Sequence, residues 1–408
     1  LNHGDRHRAV GRPVHAWTFV SVARSIRQQC VDSPAGAEIG RRVADLPSLP
    51  ALVDLQFDLT PRSQSYKVFD ANPIARSSHP QALPVALRPL EINVPWKKNG
   101  QLGMADFLKT TATHAFVVVQ DGSVVYERYI DGFDANSRFT SFSVAKSFVS
   151  ALTGVALMQG KIKSLDEPIG HYLKSDELAP AYAGITIGQL LDMRSGIDVD
   201  ERYAGSLTSP VVRMFVSTDL HSFLARRHGL RFAPGERFEY RSVDTLVLSR
   251  VLARATGMPL SDYAQQALWE PLGMEQDASW SVDSRKHGVE KAFCCLNTTA
   301  REFARLGLLY LNQGRIGERQ VVSTAWANEP RRPDNRSDIL EYRDGWWIPP
   351  GNAQDQDFSA IGVFGQYIYV NPATRTVIVK LSDYGAEQDE VLTTLAMRRI
   401  SHYLAGRD

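Results

Sequence analysis

The chain has 408 residues, and its 46 basic and 45 acidic side chains nearly cancel, leaving a formal net charge of +1. That balance argues against nucleic acid or an anionic membrane as the main partner. The length suffices for one elaborated domain, or two lobes with extensions, around a large core. No apolar run approaches a membrane span. Of three cysteines, Cys294 and Cys295 are adjacent and Cys30 is remote, which fits neither a disulfide framework nor metal-binding Cys-x-x-Cys spacing. Reduced, partly buried thiols are expected. The chain begins at Leu1, so any signal peptide would have gone with the true start; a soluble protein, cytoplasmic or periplasmic, is the expectation.

Residues 1 to about 100 are rich in Arg and Pro, with local helical pattern only at 17–29 and 39–43. The prolines across 73–95 predict an extended wrap. Order begins near Met104. β-Branched runs at 114–119 and 123–130 flank Gln120-Asp121-Gly122, a hairpin signal. Apolar residues then recur at helical spacing through Phe142, Ala145, Phe148, Val149, Leu152, Val155 and Ala156, ended by Gly160. Ser143, Lys146, Ser147 and Ser150 lie off this stripe, on the face expected to turn from the core.

Helices are predicted next at 186–193, 219–227, 242–256, 261–268 and 299–312; Thr299-Ala300-Arg301-Glu302 fits a capping box. Runs at 363–370 and 376–381 predict a second hairpin around Asn371-Pro372-Ala373-Thr374, and a helix over 388–404 closes the chain. Strands at both ends with helices between them predict an α/β (α+β) fold. One antiparallel sheet would be flanked by helices, with a mainly helical second lobe at about 160–340. Residues 1–100 would then be an N-terminal extension wrapping a domain formed by 101–408. A site belongs in the cleft between sheet and lobe.

Three stretches carry chemistry. In Ser143-Val144-Ala145-Lys146 the spacing of three puts hydroxyl and amine on one helix face, where the amine can take the serine proton. Alone the pattern is weak, and a solvated helix start with a stray lysine is the competing reading. In Phe238-Glu239-Tyr240-Arg241-Ser242, Tyr240 precedes a helix that Ser242 can cap. A phenol near a helix start and an ammonium would have its pKa of about 10 drawn down and could exchange protons; a half-buried tyrosine anchoring the helix is the competing reading. In the stretch 360–367, AIGVFGQY, glycines flank a strand edge and permit close approach of substrate to backbone. An N–H there, with that of Ser143, would make a two-donor oxyanion hole; a bulged strand start fits the same residues.

Together and in this order, these pieces resemble the serine β-lactamase and penicillin-recognising superfamily, closest to the 6-aminohexanoate-dimer (nylon-oligomer) hydrolases and class C-like esterases. The similarity runs from about Met104 to the C-terminus, supported by 138–152, 184–196, 238–248 and 297–307. The resemblance implies Ser143 as nucleophile, Lys146 as its activator, Tyr240 as proton donor, and the N–H groups of Ser143 and Val363 as oxyanion hole. Ser242 stands where the Tyr-x-Asn element has Asn. Ala360-Ile361-Gly362 stands where lactamases usually have Lys-Thr-Gly, so the lysine that binds a β-lactam carboxylate is absent, which counts against an efficient penicillinase.

The resemblance also places Tyr203 on a mobile loop beside the substrate, Ser242 and Gln366 near it, and Trp346 and Trp347 as an aromatic wall. Core packing is the competing reading for one of the two tryptophans. The implied reaction is hydrolysis of a small-molecule amide or ester through an acyl-enzyme, with no cofactor and no metal; a homodimer is compatible with it. Two other classes stay open: a Ser-His-Asp esterase, disfavoured because the chain has no Gly-x-Ser-x-Gly elbow, and a non-catalytic binding module of the same fold.

Overall fold

The computed structural model describes residues 62–97, 100–202, 209–226, 229–332, 339–385 and 388–407; the segments 17–29 and 39–43, Cys30 and Tyr203 lie outside them. The strands are β1 (Ala71–Ile74), β2 (Asn93–Trp96), β3 (Gly100–Gly103), β4 (Thr113–Gln120), β5 (Ser123–Tyr129), β6 (Phe139–Thr140), β7 (Ala278–Ser281), β8 (Leu296–Thr298), β9 (Arg315–Ile316), β10 (Arg319–Gln320), β11 (Glu341–Arg343), β12 (Trp346–Ile348), β13 (Phe358–Gly362), β14 (Gln366–Asn371) and β15 (Thr376–Ser382). The α-helices are α1 (Met104–Thr110), α2 (Ala145–Met158), α3 (Ile187–Leu191), α4 (Pro210–Val216), α5 (Leu220–Ala225), α6 (Ser242–Thr256), α7 (Leu260–Ala264), α8 (Ala300–Leu311), α9 (Thr324–Asn328) and α10 (Glu390–Leu404).

The main sheet is antiparallel and has the order β11-β12-β13-β14-β15-β4-β5, so its strands come from both ends of the domain as expected. The β4–β5 turn places Asp121 and Gly122 at φ of 48° and 80°, the left-handed pair that a two-residue hairpin requires. Both faces of the sheet are covered. Val117, Val119, Val377 and Val379 join one core with Phe148 and Leu306, while Phe116, Val118, Ile378 and Tyr369 join the other with Phe107, Met397 and Ile400. Alternate residues point to opposite faces, so strands buried on both sides read as unbroken apolar runs. A smaller sheet has the order β1-β7-β8-β6.

Several expectations need correction. The polar face turned from the apolar stripe of α2 is itself covered: Lys146, Ser147 and Ser150 are 3%, 1% and 1% exposed, while Ser143, in the 3₁₀ turn before the helix, is partly exposed. The capping box at Thr299 does not form; Glu302 instead accepts from the Glu275 N–H and pairs with Arg305. Ser242 is the first residue of α6 rather than its cap, since Arg241 holds the cap position. The expected second hairpin forms between β14 and β15, but its first strand starts at Gln366 rather than 363, because Val363-Phe364-Gly365 turn after a further strand, β13, that ends at Gly362. The stretch 160–340 contains β7 and β8, and its α8 packs on β14 and β15.

Cys294 and Cys295 are joined by a disulfide rather than being free thiols. The proline-rich stretch does more than wrap: β1 pairs with β7, and Leu90, Ile92 and Val94 enter the second core. Among the described residues no helix is long and apolar enough to cross a membrane.

Helix α8 approaches the main sheet through Gly307, where a Cβ would lie 2.5 Å from Val377 Cγ1 and 3.1 Å from Ile368 Cγ2. Both neighbours are buried strand side chains with little room to yield. Gly307→Ala should therefore destabilise the fold by about 1–3 kcal/mol, the usual range for overpacking. Urea denaturation checks this; an unchanged midpoint would mean that the helix–sheet contact is looser than described.

Candidate active site

Ser143 sits at the junction of β6 and α2, in a single 3₁₀ turn formed by Phe142–Val144. Phe142 has φ of +43°, a left-handed conformation costing an L residue on the order of 1–3 kcal/mol. The surroundings impose it. Ser141 N–H donates to Leu296 O at 2.9 Å, Leu296 N–H donates to Ser141 Oγ at 3.1 Å, and the Phe142 ring packs edge-on against Phe364 at 5.2 Å. The turn thus lies between β8 and the β13–β14 hairpin, with Ser143 partly exposed between buried neighbours.

One helical turn on, Lys146 Nζ donates to Ser143 Oγ at 2.8 Å and to the backbone carbonyl of Phe293 at 2.9 Å. Burial drives the lysine pKa down, and the negative charge of Glu201 partly offsets this, leaving it at about 8. Phe293 immediately precedes the Cys294–Cys295 disulfide, and the Trp280 indole N–H donates to Cys294 O at 3.0 Å. The carbonyl that holds the lysine therefore belongs to a closely tied segment.

The Tyr240 ring faces this amine, with Lys146 Nζ 4.9 Å from its centroid. Trp347 lies 5.3 Å and Tyr342 5.5 Å from the Tyr240 ring, centroid to centroid, so β11 and β12 present an aromatic wall to it. The two adjacent tryptophans part company. Trp347 is half-buried beside Tyr240, whereas Trp346 is fully buried against Tyr310 and Phe358 and belongs to the core. Strand alternation explains the division.

Gly362 ends β13 against the serine turn. A Cβ there would stand 2.8 Å from Ser141 O and 3.1 Å from Ser143 N, so only glycine lets the strand come this close. Val363 is the next residue, at the start of the hairpin turn. Gln366 does not reach a pocket. Its amide is taken up within the sheet, donating to Ser382 O at 2.6 Å and accepting from Ser382 N–H at 3.2 Å. Ser242 binds Glu201: its N–H donates to one carboxylate oxygen at 2.8 Å and its hydroxyl to the other at 2.5 Å. Glu201 was not singled out from the sequence, and the only signal there was its place two residues before Tyr203.

Two histidine–carboxylate pairs have other company than Ser143. His114 pairs with Asp383, which accepts from Ser63, and His402 pairs with Asp355, which accepts from Asn371. Among the described residues, Asp219, Asp283 and His287 form one group whose donor atoms could converge on a metal ion. Its carboxylates already accept from the N–H groups of Leu220, Ser222, Ser284 and Val289. A cavity of about 550 Å³ opens beside Trp347, lined also by Lys97, Leu340, Gln388, Asp389 and Glu390.

The beta-lactamase family model matches residues 101–400. A 6-aminohexanoate-dimer hydrolase from Paenarthrobacter ureafaciens is 30% identical over 299 residues, covering 68% of this chain and 74% of that protein. A structure from Bacillus anthracis, provisionally named a 6-aminohexanoate-dimer hydrolase, superposes with a TM-score of 0.74 at 23% identity, over 84% of this chain and 93% of that one. A class C beta-lactamase shares the fold with a TM-score of 0.56 at 16% identity, covering 73% of this chain and 93% of its own. With three quarters of its length matched by one family model, the chain belongs to the beta-lactamase family.

Proposed function

We propose that this protein is a serine hydrolase that cleaves amide or ester bonds of small molecules through an acyl-enzyme on Ser143. An amidase or carboxylesterase resembling the 6-aminohexanoate-dimer hydrolases is the reading the geometry supports best. The observation that carries it is the buried Lys146 amine, 2.8 Å from Ser143 Oγ with its pKa lowered to about 8. At pH 7 about one lysine in ten would be neutral, against fewer than about one in a thousand for an unperturbed side chain. A neutral amine accepts the Ser143 proton as Oγ attacks the carbonyl carbon, so base and nucleophile are already in contact.

The tetrahedral oxyanion would be held by the N–H groups of Ser143 and Val363, each donor typically contributing about 3 kcal/mol. Tyr240, across the ring face from Lys146, would pass a proton to the leaving group. An alkoxide leaves with modest help, but an amine leaves only after its nitrogen is protonated, so amides depend more on that donor. Trp347 and Tyr342 would form the wall along which an acyl chain or leaving group lies. Tyr203, on the segment following Glu201, is assigned an additional hydrogen bond to an amide nitrogen. Lys146 passes the Ser143 proton on to Tyr240 and is neutral again. A water then attacks the acyl carbon, giving its proton to Lys146, which delivers it to Ser143 Oγ as the acyl–oxygen bond breaks.

Two outcomes test the assignment. Lys146→Arg should lower kcat/KM by about a hundredfold or more, because arginine keeps its proton at any working pH and cannot act as base. In the unaltered protein kcat/KM should rise with pH through about 8, since the neutral amine is the active form and dominates above its pKa. Substantial turnover by the Arg variant, or a profile flat from pH 6 to 9, would remove Lys146 from this role.

Gly362→Ala should lower kcat by about a hundredfold with the fold retained, because the added methyl meets Ser141 O and Ser143 N. Steady-state kinetics beside circular dichroism measure it. Unaltered turnover would place the oxyanion donors elsewhere.

A further inference from the structure

Helix α6 opens without a cap of its own: Arg241, in the cap position, makes no side-chain bond to the first turn. The orphan N–H of Ser242 instead donates to Glu201, which arrives from a separate loop and also takes the Ser242 hydroxyl proton. Arg241 fastens the same loop from the other side. Its buried guanidinium donates to Val199 O at 2.5 Å and to Glu239 at 2.6 Å. Two anchors, Val199–Arg241 and Glu201–Ser242, therefore tie 199–201 to 241–242, next to the Tyr240 whose ring covers the Lys146 amine.

We propose that Glu201 is a positioning residue of this site, its carboxylate tying the 199–201 loop to the start of α6 and placing a negative charge near the Lys146 amine. The inference rests on Lys146 acting as the base. Glu201 supplies the first-turn acceptor that α6 lacks, where a carboxylate is also favoured by the helix dipole. The same charge opposes the effect of burial on Lys146 and keeps its proton affinity from falling further.

Other charged groups around the lysine are accounted for. From its own segment, Arg241 is turned to Val199 and Glu239. Asp244 lies further along α6, bonds Ser195, and is pushed up to about 8 by burial, so it is largely protonated at neutral pH. On the β11–β12 turn, the Asp344 carboxyl is held well above the usual range by burial and by Asp192. The opposing aromatic groups are Tyr240 and, behind it, Tyr342. Among the described residues, the carboxylate whose charge opposes the effect of burial on Lys146 is that of Glu201.

The test is the pH dependence of kcat/KM for a short-chain nitrophenyl ester in Glu201→Gln. Glutamine keeps an oxygen acceptor for Ser242 and removes the charge. With less negative potential the lysine loses its proton more readily, so the acid limb should move to lower pH by at least about half a unit. Ser242→Ala is the companion, since it removes one anchor and leaves the charge. There kcat should fall several-fold while the limb stays in place. An acid limb unmoved in Glu201→Gln, or moved upward, overturns the proposal, as does an equal shift in Ser242→Ala. If Glu201→Gln fails to fold, Glu201→Ser takes its place and must move the limb to lower pH in the same way. A wild-type profile with no acid limb near pH 8 would instead refute the Lys146 reading.

Discussion

The structure depends on one constraint: an amine must be kept out of water, beside a hydroxyl, with no ion-pair partner in direct contact among the described residues. Lys146 meets it with two acceptors, Ser143 Oγ and Phe293 O, and one ring face, Tyr240. Burial lowers its pKa from 10.5 to about 8, a penalty on the ammonium on the order of 3 kcal/mol. That penalty is what would make the group useful as a base. Each neighbouring element serves it. The serine turn is bent through Phe142, β8 supplies the bonds that hold the turn, β13 closes on it at Gly362, and the segment before α6 brings the aromatic cover.

The same constraint explains why the polar stripe of α2 is covered. A helix ordinarily turns its polar residues to solvent, and on that rule Ser143, Lys146, Ser147 and Ser150 were placed outward. Here the polar stripe faces the cleft, which the β11–β12 turn closes: Ser147 Oγ donates to Gly345 O at 2.7 Å, and a Cβ at Gly345 would stand 2.8 Å from Ser150 Cβ. Off the apolar stripe was correct; exposed was not. Periodicity separates apolar from polar faces but cannot say whether a second layer covers the polar one.

Local signals were readable where few alternatives compete. The Asp121-Gly122 turn, the start of α6 at Ser242 and the serine–lysine spacing all depend on residues within one turn of each other. Signals that depend on distant partners were not. The Thr299 box fails because Glu275 and Arg305 claim Glu302. The strand β13 went unseen: it has five residues, and only three turn residues separate it from its partner β14. Gln366 looked available beside two glycines, yet its amide bonds Ser382 on the neighbouring strand. Glu201 carries no local pattern at all; only the fold brings it to Ser242.

The central claim is that Ser143, deprotonated by Lys146, forms a covalent acyl intermediate. Intact-mass analysis after treatment with a fluorophosphonate, run on the unaltered protein and on Ser143→Ala, tests it most directly. The account predicts one stoichiometric adduct on the unaltered protein, located at Ser143 by peptide mapping, and none on the folded Ala variant. An adduct of equal yield on Ser143→Ala, or no adduct on the unaltered protein above pH 8, would contradict it.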